Sequence, residues 1–191
     1  MSESRVALFS GPPGGLAVRR LPLPPPGAGE ILVRVLGCTL CGSDVHTVGG
    51  RRSVAVPTVL GHEIVGEVVA LGPGAPRHDL TGAPVAPGTR VTWAIVAACG
   101  ECHACTHDLW PKCARGVKYG HERAVPGAEF RGGLADHCLL VPGTALVAVP
   151  EGLALEVVCP ANCATATVAA ALEAAGDLAG ARVAILGAGL L

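Results

Sequence analysis

Residues 99–113 read CGECHACTHDLWPKC, and this stretch limits what the rest of the chain can be. Its four cysteines, Cys99, Cys102, Cys105 and Cys113, stand at spacings C-x2-C-x2-C-x7-C. A tetrahedral zinc ion takes four deprotonated thiols at about 2.3 Å, and short Cys-x2-Cys loops deliver them in pairs. Gly100, Pro111 and the charged residues between them suit a loop wrapped around an ion, not a helix or strand. Disulfides among the four would be out of place in a reducing compartment. Three thiols at every third position are also not the pattern of unrelated buried cysteines. All four ligand positions are filled, which leaves none open for chemistry. The stretch reads as a structural zinc lobe.

The chain has 191 residues, enough for one domain and part of another. Half of it is hydrophobic but only 3% is aromatic, so Val, Leu and Ala must fill the interior. Its 14 basic and 15 acidic residues nearly balance, which offers no basic stripe to nucleic acid or to an anionic membrane. No secretory signal opens the sequence. The uncharged run from Val157 to Leu172 contains Pro160 and Asn162 and is shorter than the ~20 apolar residues of a membrane span. A cytoplasmic protein is expected, in which nine cysteines argue for metal ligation over disulfides.

Strand signals recur at residues 5–9, 30–37, 89–97, 132–141 and 145–149. Residues 57–71 read as a long β segment bent at Gly61 and Gly66. The proline-rich stretch through residues 21–27 is loop or sheet edge, and residues 72–88 are a surface loop. Pro160 opens an Ala-rich helix that ends near Gly176. The apolar run 182–186 then reads as a strand leading into Gly187-x-Gly189. Short strands between Gly and Pro turns predict a partly open β-barrel, and the last quarter begins an α/β unit.

Cys41, His62 and Cys163 lie far apart, and each alone reads more readily as a buried thiol or a hydrogen-bonded core histidine than as a metal ligand. Their order changes the reading. Cys41-Gly-Ser-Asp-Val-His46, then Gly61-His62-Glu63, the four-cysteine lobe, Cys163-x3-Thr167 and a Gly-x-Gly turn together resemble the zinc-dependent medium-chain alcohol dehydrogenases over nearly the whole chain. Thr92-Trp93 after G-x-R-V, with Lys118-Tyr-Gly-His-Glu122, resembles the branch associated with phosphonate catabolism.

The resemblance implies a mainly β, GroES-like, partly open barrel with a zinc lobe over residues 1–155, then the incomplete start of an α/β Rossmann domain over 156–191. It also implies two zinc ions per chain. Cys41, His62 and Cys163 would hold the catalytic one, with Cys163 preferred over Cys159 because it alone starts C-x3-T. Two thiolates and an imidazole leave a fourth position free. Glu63 would approach that metal during ligand exchange. Asp44 would orient His62, although a loop Asp capping the next helix is an equal reading. Ser43 and His46 would carry the hydroxyl proton outward. Thr167, Gly187 and Gly189 would meet NAD or NADP, whose pyrophosphate sits at such a turn.

The implied reaction oxidises a small alcohol to an aldehyde or ketone by hydride transfer to the nicotinamide. The complete enzyme would be a homo-oligomer, while a chain stopping here would be inactive and either monomeric or association-prone. Two departures stand out. The third glycine of the G-x-G-x-x-G turn and all that follows it are missing, and Thr89 replaces the Asp usual in G-D-R-V. Cys38, Cys138 and Cys159 match no ligand position and read as core thiols, and His103 and His107 as exposed. A zinc-stabilised binding module without activity stays open as the alternative. A second metal ion would separate the two.

Overall fold

The computed structural model describes residues 2–187 and 189. Ten strands and three α-helices occur among them. In order they are β1 (Glu3–Phe9), β2 (Leu16–Pro22), β3 (Ile31–Thr39), α1 (Gly42–Val48), β4 (Thr58–Val59), β5 (Glu63–Leu71), β6 (Arg90–Trp93) and β7 (Val96–Ala97). They continue with β8 (Val117–Lys118), β9 (His137–Leu140), β10 (Leu146–Ala148), α2 (Leu155–Val158) and α3 (Ala164–Ala175). An antiparallel sheet in the order β10-β6-β5-β3-β9 forms the centre, beside a sheet β2-β1-β4 and the pair β7-β8. The amide of Ala7 donates to the Leu134 carbonyl and that of Asp136 to Arg5, so β1 joins the chain entering β9 and partly closes the sheets on one another.

Strand β3 shows why the sheets stack. Ile31 and Val33 point into the main core with Ile64, Val68, Val91 and Leu140, while Leu32 points into a second core with Val6, Val59, Phe130 and Leu139. Successive side chains leave opposite faces of a strand, so a run buried on both faces must lie between two layers. On β5 the same alternation sends Val65 away from the main core, against Val158 and Cys159. That contact seats the segment leading to Cys163. Four of the five aromatic side chains lie inside: Trp93 and Tyr119 meet edge-on at 6.2 Å, and Phe9 and Phe130 are buried, while Trp110 is exposed.

Several sequence expectations shift in detail. Residues 57–71 form two strands in different sheets, because Gly61 turns the chain with φ +89°. A side chain there would meet Cys38 Sγ at 2.7 Å, so only glycine fits. The run 89–97 breaks at Ala94 and Ile95, whose backbone groups bond Ala145 and Tyr119 instead of extending β6. Thr89 does work of its own, its hydroxyl accepting from the Ala86 amide at 3.1 Å to close the turn. Strand β2, which carries Leu21 and Pro22 of the stretch expected as loop or edge, is a sheet edge.

Two expectations are overturned. Pro160 does not open the long helix; it lies in a 3₁₀ turn, Cys159–Asn162, and α3 starts at Ala164 after an irregular Cys163 (φ −126°, ψ −78°). Gly176 ends α3 as expected. Residues 182–186 form no strand, and Val183, Ile185 and Leu186 are exposed. A strand needs a hydrogen-bonding neighbour, and nothing among the described residues pairs with this segment. No single helix there is long and apolar enough to cross a membrane.

Candidate metal centres

The lobe follows β7. Its Cys102 Sγ lies 3.5 Å from Cys105 Sγ and 3.8 Å from Cys113 Sγ, and Cys99 Sγ lies 3.9 Å from Cys105 Sγ. Four sulfurs at ~2.3 Å from one ion stand about 3.8 Å apart, so the set fits a tetrahedral metal. The local fold adds donors. Backbone N–H groups of Cys105 and Ala114 lower the Cys102 thiol to about 6, while burial and the neighbouring sulfurs raise Cys105 to about 12. Arg115 bonds Glu101 at 2.9 Å and lies 3.6 Å from Cys99 Sγ, a cation beside a thiolate. His103 and His107 stack at 4.2 Å on the exposed outer side and take no part.

The second set is assembled from distant elements. Cys41 precedes α1, His62 and Glu63 lie at the start of β5, and Cys163 lies between the 3₁₀ turn and α3. Their donor atoms all lie within 4.8 Å of one another. Burial raises the Cys163 thiol to about 12, reinforced by Cys41 and Glu63. Two thiols, an imidazole and a carboxylate gathered this closely are a donor set that suits a divalent cation. Burial opposes the Cys41 thiolate too, but hydrogen bonds from Ser43 and His62 outweigh it and lower the thiol. Cys159 is buried outside the set, and Cys38 and Cys138 belong to the main core.

Asp44 caps α1 and stands beside His62, whose Nδ1 is buried without a hydrogen bond among the described residues. One carboxylate oxygen accepts from the Cys41 amide at 3.0 Å, capping α1, and also lies 3.5 Å from His62 Nδ1. The other accepts from the Gly61 amide at 3.3 Å. Burial would raise Asp44, but His62 and these two amides hold it ionised, and it in turn raises His62 against the effect of burial. Ser43 Oγ lies 3.5 Å from His62 Nε2. His46 is exposed on α1 and makes no side-chain hydrogen bond to Ser43 among the described residues. Thr167 donates its hydroxyl to the Cys163 carbonyl at 2.7 Å. With Cys163, Asn162, Ile95 and Trp110 it lines a largely apolar groove of about 770 Å³. Gly187, at φ +91°, and Gly189 lie far along the exposed carboxyl-terminal segment.

Three side chains that the sequence did not single out belong to this neighbourhood. Thr39 donates to Glu63, and Asn162 bonds the carbonyl of His62. The His121 ring lies 4.9 Å from that of His62, and its Nδ1 faces the Tyr119 carbonyl at 2.9 Å. Burial holds His121 neutral, with its pKa lowered to about 4, and His62, Arg52 and Lys118 add to the effect. Gly120 (φ +75°) permits the approach, since a side chain there would reach the Gly61 carbonyl at 2.6 Å. Only His121 carried a signal in the sequence, inside Lys118–Glu122.

The family pattern described as Alcohol dehydrogenase GroES-like domain matches residues 27–151. Cinnamyl alcohol dehydrogenase 1 of Capsicum annuum is 34% identical over 165 residues, 85% of this chain and 44% of that protein. Among solved structures, an alcohol dehydrogenase of Thermotoga maritima superposes with a TM-score of 0.84 at 28% identity, over 93% of this chain and 49% of its own. Acetophenone reductase of Geotrichum candidum, solved in complex with NAD, superposes with a TM-score of 0.74 at 25% identity, over 93% of this chain and 49% of its own. The chain thus spans less than half the length of these relatives. With the family pattern over most of its length and two donor sets that each fit a metal ion, the chain belongs to the zinc-type medium-chain alcohol dehydrogenase family.

Proposed function

We propose that this chain is the metal-binding part of a dehydrogenase that oxidises an alcohol to an aldehyde or ketone with NAD or NADP. One observation carries the reading. Cys41, His62 and Cys163 converge beside Ser43, with Glu63 among them, in a set separate from the four-sulfur lobe. A bound zinc ion would act there as a Lewis acid on the alcohol oxygen. Asp44 fixes the His62 ring. Ser43, a hydroxyl that can accept and donate at once, takes the alcohol proton. His46, exposed on the same helix, passes it to solvent through water. When bound, a nicotinamide would accept the hydrogen and its electron pair from the carbinol carbon, leaving a carbonyl once the hydroxyl proton has passed to Ser43. Cys163 and Thr167 border the groove in which that ring would lie.

Two finer readings belong to the same proposal. Membership of the phosphonate-catabolism branch rests on the runs Thr92-Trp93 and Lys118–Glu122. A cytoplasmic setting is supported by nine cysteines of which six fall in donor sets that fit a metal ion and none pairs as a disulfide among the described residues.

The test is metal analysis of the chain, followed by alcohol oxidation with both nucleotides by the protein carrying its nucleotide-binding half. Two ions per chain and turnover that Cys41→Ser abolishes are expected. One ion, held in the lobe alone, would leave a binding module.

A further inference from the structure

Cys163 is the ligand whose position the local chain explains least. It stands about a hundred residues from His62, between a 3₁₀ turn and a helix, with irregular backbone angles. No strand register fixes it, and α3 beyond it has no buried residue. Packing of Val158 and Cys159 on Val65 seats the segment before it, and something further ties the turn to His62 itself.

The side chain before it does so. Asn162 Nδ2 donates to the His62 carbonyl at 2.8 Å and to the Trp93 carbonyl at 2.7 Å. Both N–H groups of the amide are thereby used. One acceptor belongs to a metal ligand, and the donor is the neighbour of another. The second acceptor ends β6, so the turn is held to two adjacent strands at once. The Asn162 Oδ1 is buried without a partner. Here the donor end alone is used.

We propose that Asn162 is a positioning residue of the Cys41–His62–Cys163 site, holding Cys163 at ligand distance from His62 before a metal ion arrives. It touches neither metal nor substrate. A site held ready in advance loses less conformational freedom on binding, and side chains that orient metal ligands change affinity by about 10–100-fold when removed. The inference rests on the proposed metal centre.

The experiment titrates the 191-residue chain with Co²⁺. Visible absorption separates a four-sulfur site from a two-sulfur, one-nitrogen site, so the lobe serves as an internal control. Asn162→Ala and Asn162→Asp, the latter of the same shape but with acceptors facing two carbonyls, are expected to weaken Co²⁺ at the Cys163 site about tenfold or more. Affinity at the lobe should stay within about twofold of the parent. Combined with Cys163→Ser, Asn162→Ala should add little further loss, because its effect passes through that thiol. Unchanged affinity at the site, equal loss at both sites, or full additivity with Cys163→Ser would each overturn the role. A parent chain with only the four-sulfur spectrum would instead overturn the metal-centre reading, and the positioning role with it.

Discussion

Thr39 donates its hydroxyl to the Glu63 carboxylate at 2.6 Å, across the β3–β5 pairing that sets the two residues opposite one another. Glu63 is only 4% exposed, so few other donors reach it. A hydrogen bond to a charged group contributes about 1.5–3 kcal/mol. Thr39→Val should lower stability by about that amount and Thr39→Ser by much less, as read from urea unfolding. Equal midpoints for the two variants would rule the bond out as a stabilising contact.

The lobe has no strand longer than two residues and little apolar packing of its own, so its fold should depend on metal. Cys102→Ser or Cys105→Ser is expected to lose one zinc per chain and to speed proteolysis within residues 95–115. Cleavage there at the parental rate would argue that the loop stands without an ion.

Cys159 and Cys163 are one helical turn apart and should behave differently. Cys159 is buried against Val65 and Val158, whereas Cys163 is one of the gathered donors. Cys163→Ser should lose the metal that is not in the lobe and barely change the melting temperature of the metal-free chain. Cys159→Ser should keep both metals and melt lower. The reverse pattern in metal analysis would place the ligand one turn earlier.

Asp79 accepts from the amides of Thr81, Ala83 and Ala148 and from the Thr81 hydroxyl. The Ala148 amide and the Thr81 hydroxyl lead in lowering its pKa from 3.8 to about 2. A depressed carboxyl adds stability that is full above its unfolded value and is lost as pH falls through the folded one. Asp79→Asn should therefore melt below the parent at neutral pH, with the gap closing between about pH 4 and pH 2. A gap independent of pH would show that the carboxylate charge is not involved.

The 191-residue chain alone should oxidise no alcohol with NAD or NADP. Residues 182–186 form no strand, and Gly187 lies exposed, so the described residues build no surface for adenosine or pyrophosphate. Proximity supplies ~7–11 kcal/mol of a barrier only when both reactants are held. Turnover by this chain with either nucleotide would overturn that expectation.

The lobe was legible in the sequence because its ligands are neighbours: C-x2-C spacing states the geometry locally, and the sulfurs stand where that spacing requires. The second set was legible only as a resemblance, since a cysteine at 41, a histidine at 62 and a cysteine at 163 carry no mutual distance until β5 and the 3₁₀ turn pack together. Most strands were readable from alternation, and their partners were not. Two register shifts in the β3–β5 pair set Thr39 opposite Glu63, and no periodicity encodes a bulge. The approach of His121 to His62 depends on Gly120 crossing Gly61, a contact between segments sixty residues apart. The run 182–186 has the composition of a strand and none of its structure. Side-chain pattern belongs to a segment, but a strand's hydrogen bonds belong to its neighbours, and only tertiary structure supplies those.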